Sequence, residues 1–231
     1  MDLGQTLKSA YIAGAVIAMS ATGCSSLQQH EPLPAHQKDS RHTVRVDTTH
    51  VNDTYKAEER KGYNLAKDYF ASFGVDIEET NNNPDVELSF ENIGRDAVGL
   101  TRCYDYNPSS VEVDTEKMLE KVPTMSNAIY TGVATNVTHE LGHVFGLEHA
   151  DRVAAYLNQE EEFYDLQREH GGTTGNIAEI PLNLRNNNGF SEVQKELVRR
   201  GISEGEQCGY GRSLETLEQY NTSISDYLGA E

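Results

Sequence analysis

Basic residues are scarce in this chain. It has 19 lysines and arginines against 37 aspartates and glutamates in 231 residues, a net charge of −18. A surface of that sign argues against nucleic acid and anionic lipid headgroups as partners. It favours solubility and, among substrates, basic ones. Cysteine is almost missing: Cys24, Cys103 and Cys208 are the full set, and none has a neighbour at the spacing of a cysteine zinc site. No internal repeat is visible, which removes the repeat architectures. The apolar stretch from about Ala10 to Ala21 is too short to cross a membrane. Methionine stops early, at Met1, Met19, Met118 and Met125.

Against that sparse background stands the run HELGHVFGLEH, residues 139–149. His139 and His143 are four apart, which on an α-helix places them one turn apart on one face. Two imidazoles at that spacing can share one zinc ion, and the carboxylate of Glu140 is then placed to take a proton from a water the metal activates. A third ligand at His149 is out of reach along a continuing helix. Gly146 resolves this, because a residue without Cβ lets the chain leave the helix through positive φ and return His149 to the metal. Five fixed positions in eleven residues arise by accident in fewer than about one start per million.

The segment resembles the signature HExxHxxGxxH of the metzincin zinc endopeptidases, and is most similar to bacterial matrixin-like members. The resemblance implies one catalytic zinc ion held by His139, His143 and His149, with Glu140 as general base. It also implies an α+β fold: an α/β-type upper subdomain with a twisted mixed sheet, a long helix and the zinc-site helix, above a smaller, mainly helical or irregular lower subdomain. Metzincins carry a methionine in a tight turn beneath the metal, downstream of the third histidine. Here the segment from Gly175 to Arg200 is similar to that turn and the last helix, and Ala178 stands where the methionine would be. That methionine is an apolar floor rather than a ligand, so its replacement bears on catalysis more than on metal binding.

The first 23 residues have the form of a secretory signal, with Lys8 before the apolar stretch. The ending Ala21-Thr22-Gly23-Cys24 resembles a bacterial lipobox, which makes Cys24 the expected lipidation site and mature N-terminus. A plain signal peptide cut elsewhere is the alternative. Residues 24–41 are polar, contain Pro32 and Pro34, and are expected to form a flexible tether. The implied location is the bacterial envelope, and the outer membrane in a Gram-negative host. Outside the cytoplasm the remaining pair, Cys103 and Cys208, is expected to form a disulfide, with two buried free thiols as the alternative. A catalytic domain over 42–231, monomeric, is expected to divide into an upper part (42–149) and a lower part (150–231).

Along that domain, HTVRVD alternates as a strand, and TYKAEERKGYNLAKDYFASFG carries Leu65, Ala66, Tyr69, Phe70 and Phe73 at helical spacing before Gly74. VDIEE and PDVELSF predict two more strands, while GRDAVGLTRCYDY and SSVEVDT are further candidates. GLTRCY falls where metzincins have an edge strand along the cleft, able to pair with an extended peptide. The metal motif ends a helix expected from about Ser126 to Val144. DRVAAYLNQEEEFYDLQREHGG predicts one helix with Val153, Leu157 and Tyr164 on its inner face, and Tyr156 and Tyr164 as packing residues. GFSEVQKELVRRG predicts a helix capped by Ser191 and Gln194 and ended by Gly201. The tail SLETLEQYNTSISDYL is weakly helical at best.

The function these readings support is a zinc-dependent endopeptidase acting on protein or peptide substrates. Two rivals stand beside it. In the first, Glu161 or Glu162 replaces His149 as third ligand. In the second, the chain is a non-catalytic surface lipoprotein that keeps a zinc site for binding.

Overall fold

A computed structural model describes residues 42–51, 53–103, 108–121, 129–171, 189–205 and 210–230. The signal, the tether, Cys24, Ala178 and Cys208 lie outside the described residues.

The chain is a mixed α/β structure built on a five-stranded sheet in the order β2-β1-β3-β5-β4. Strands β1 (His42–His50), β2 (Val75–Glu79), β3 (Val86–Phe90) and β5 (Ser109–Val113) are parallel, and β4 (Gly99–Arg102) runs antiparallel to β5 at the edge. All five were legible as strands or strand candidates. Alternation fixes their faces: Val44 and Val46, Val75 and Ile77, Val86, Leu88 and Phe90, and Val111 and Val113 are buried. Two helices cover that face, α1 (Lys56–Ser72) and α3 (Ile129–Val144). They contribute Tyr63, Ala66 and Phe70, and Val133, Val137, Leu141 and Val144, to the same core. Gly74, at φ +89°, turns the chain from α1 into β2 as expected.

Several elements differ from the sequence expectation. A short helix α2 (Thr115–Lys121) follows β5 and was not anticipated. Asp114 starts it, its carboxylate accepting from the Lys117 and Ile93 amides at 2.8 and 3.1 Å, and Met118 anchors it in the core. The single helix expected after His149 is two helices, α4 (Ala150–Leu157) and α5 (Glu160–Leu166), followed by a π-helical turn at Gln167–Gly171. Asn158 breaks it by adopting the left-handed conformation, φ 57° and ψ 42°. The break shifts the helical phase by one residue. Phe163 therefore faces inward at 2% exposure, while Tyr164 is 52% exposed. Tyr156 is also on the surface, its hydroxyl donating to Glu218 at 3.0 Å, so neither tyrosine is the packing residue expected.

Helix α6 (Glu192–Ser203) has the anticipated Ser191–Gln194 capping box but runs past Gly201. Its stop is Gly205, at φ +68°; Ile202, packed against the core, keeps the turn containing Gly201 helical. The tail, expected to be weakly helical at best, forms α7 (Tyr210–Gln219) and α8 (Ile224–Leu228), with Leu217, Ile224 and Tyr227 fully buried. Neither is long enough to persist alone. Burial of those three side chains and a second capping box, Ser223 with Asp226, supply what local propensity lacks. The core is continuous from the sheet through α3 to α8, joined by packing among Phe70, Phe73, Phe145 and Phe190.

Candidate metal centre

His139 and His143 project from the last two turns of α3, and the helix ends directly after them. Gly146 takes φ +94°, a value at which any Cβ would be strained. Its amide donates to the His143 carbonyl at 3.0 Å, and the Leu147 amide to the Gly142 carbonyl at 2.9 Å. These bonds close the helix and redirect the chain, so that His149, extended at φ −62° and ψ 142°, starts α4 with its ring turned back toward the other two.

The three Nε2 atoms converge. Those of His143 and His139 are 3.0 Å apart, those of His143 and His149 3.0 Å, and those of His149 and His139 3.4 Å. The three residues can hold a metal ion. Ligand nitrogens at about 2.0–2.1 Å from a tetrahedral zinc ion would lie about 3.3 Å from one another, so the spacing fits one ion. His143 Nδ1 lies 2.8 Å from the Leu147 carbonyl, an acceptor only, so Nδ1 carries the proton and Nε2 presents its lone pair. Burial, then the neighbouring rings of His143 and His149, pushes His139 down to about 3. Burial likewise lowers His143. Neutral imidazole is the form that binds a metal.

Glu140, 6% exposed, lines the same cavity, of about 540 Å³, as all three histidines. Burial pushes its carboxyl up to about 7, opposed by a hydrogen bond from Thr101. That hydroxyl, on edge strand β4, lies 2.6 Å from Glu140 Oε2 and 3.0 Å from the Glu140 carbonyl. Two residues back, Gly99 leaves room for the carboxylate: a Cβ there would come within 2.8 Å of Glu140 Cδ and closer still to Oε1. Edge strand and acid are therefore fitted to each other. β4 lines the cavity, as anticipated for GLTRCY, but the roles of Thr101 and Gly99 were not read from the sequence. Strand alternation is the signal that could have found them, because it sets both residues on one face.

The structure brings together His139, Glu140, His143 and His149. It does not bring Glu161 or Glu162 to them; both are exposed on the first turn of α5. Cys103 is exposed just beyond β4. Both other cysteines lie outside the described residues.

No protein-family model matches this chain, and no curated protein matches it. Among solved structures, a chain of the GM1-bound form of the ECX AB5 holotoxin is similar over 47% of this chain, with 16% identity and a TM-score of 0.33. The overlap spans 53% of that chain, about half its length, and carries no weight for fold or function.

Proposed function

We propose that this chain is a metzincin-like zinc endopeptidase, with His139, His143 and His149 as the metal ligands and Glu140 as general base. The observation that carries the proposal is the convergence of three Nε2 atoms at 3.0–3.4 Å, with the buried Glu140 carboxylate opening on the same cavity. Three protein ligands leave a position for water or substrate, the arrangement of a catalytic rather than a structural site. A zinc ion bound there supplies a Lewis acid that polarises the substrate carbonyl and makes water acidic near neutral pH.

The chain's own residues do the rest. Glu140, tuned by burial and held by Thr101, takes the proton from the attacking water and returns it to the leaving amine. The outer edge of β4, unpaired among the described strands, offers main-chain donors and acceptors to an extended peptide beside the cavity. The same reading places the protein in the bacterial envelope, anchored by lipid on Cys24, with Cys103 paired to Cys208.

The test is cleavage of a mixed peptide library by zinc-loaded protein starting after Cys24, beside Glu140→Ala. Cuts made by the parent protein alone, and stopped by a chelator, are expected. Zinc retained by both proteins with no cleavage by either would replace this reading with that of a non-catalytic zinc-binding lipoprotein.

A further inference from the structure

His149 depends on a turn that is no longer helical, and the peptide group just before it is fixed at both ends. The His149 amide donates to the carboxylate of Glu148 at 2.9 Å, and the Glu148 carbonyl accepts from the hydroxyl of Tyr227 at 2.6 Å. Tyr227 lies 79 positions away on α8 and is 1% exposed. Burial holds its phenol far above the usual range, so it remains a donor. The helix that carries it is itself tied down. The Tyr227 carbonyl accepts from Ser191 at 2.8 Å, and the Ile224 amide donates to the Gln159 side chain at 2.7 Å. The α4–α5 junction, the start of α6 and the third-ligand turn thus meet on one short helix.

We propose that Tyr227 is a positioning residue for the metal, and that α8 is a clamp setting the orientation of His149. His139 and His143 are placed by the helix that bears them, whereas His149 stands in the turn between Gly146 and α4: its carbonyl accepts the Arg152 and Val153 amides at 3.0 Å, its amide donates to the Glu148 carboxylate, and the phenol of Tyr227 holds the peptide carbonyl just before it. Without the hydroxyl, the Glu148 carbonyl loses the bond from Tyr227, and the 148–149 peptide is held only from its amide side and by α4. The His149 ring is then less firmly set where its Nε2 meets the other two. Groups that orient ligands in this way typically contribute 10–100-fold to metal affinity.

The inference rests on the zinc reading, and its test separates the two. Zinc affinity is measured by competition with a chromophoric chelator for the parent protein, Tyr227→Phe and Tyr63→Phe. Tyr63, on α1, is another fully buried phenol; it does not line the cavity of the three histidines, and its hydroxyl lies beside Thr48. Thermal melts of the metal-free proteins and the visible spectrum with cobalt accompany each. Tyr227→Phe is expected to weaken zinc about tenfold or more and to alter the cobalt spectrum, with Tyr63→Phe matching the parent. Equal zinc affinity and an identical spectrum in Tyr227→Phe would overturn the clamp while leaving the zinc site intact. A parent protein that binds no zinc would overturn the zinc reading itself. If Tyr227→Phe melts much lower, chelator competition on the fraction still folded keeps the affinity measurable.

Discussion

As the proposed general base, Glu140 meets two opposing demands. It must be buried enough to sit beside three imidazoles and charged enough to accept a proton, and burial holds its carboxyl up at about 7 even against the hydrogen bond from Thr101. Thr101 supplies the counterweight by donating to Oε2 at 2.6 Å, a bond that favours the ionised form. Its removal therefore acts on turnover rather than on metal content. Thr101→Val keeps the shape of the side chain and deletes the donor. We expect kcat to fall by about tenfold, with KM and zinc affinity close to those of the parent. Thr101→Ser, which keeps the hydroxyl, should recover most of the rate. A rise in KM or a loss of zinc as large as the drop in kcat would show that Thr101 holds β4 rather than the acid.

At the scale of elements, the region after His149 separates local pattern from packing. Asn158 shifts the helical phase, so adjacent aromatics in α5 have opposite fates, Phe163 buried and Tyr164 exposed. Phe163→Ala should destabilise by about 3–5 kcal/mol. Tyr164→Ala should stay within about 0.5 kcal/mol. Denaturant melts decide it, and the reverse order would restore the single unbroken helix. The sequence carried most of the sheet because its strands alternate cleanly and Gly74 ends α1 openly. It carried the convergence of the three histidines because the spacing of His139, His143, Gly146 and His149 is itself geometry. It did not carry α7 and α8, which are too short to persist alone and are held by the burial of Leu217, Ile224 and Tyr227 against distant residues. Nor did it carry Thr101 and Tyr227 as partners of the site, since their contacts span 39 and 79 positions of chain. The Asn158 break was written as a residue that tolerates positive φ, but nothing local required it to be used.

For the whole molecule, the strain of assembly falls on the last segment. The third-ligand turn, the start of α6 and the α4–α5 junction all depend on α8, which lies near the end of the described chain. A covalent tie that brings the tail back to the sheet would limit the cost of ordering it. The proposed Cys103–Cys208 disulfide has that position, joining the residue after β4 to the connection between α6 and α7. It closes a loop of about a hundred residues, for which the chain-entropy account gives about 2–5 kcal/mol. The Cys103→Ser, Cys208→Ser double variant should therefore lose that much stability in denaturant melts. Its zinc affinity, measured where the fold is still fully populated, should match that of the parent, because His139 and His143 are carried by α3 and His149 by a turn held without either cysteine. Loss of affinity under those conditions would mean that the cross-link, and not α8 alone, sets the third ligand. Unchanged stability would mean that Cys103 pairs elsewhere or that the tail is ordered by its buried side chains without it.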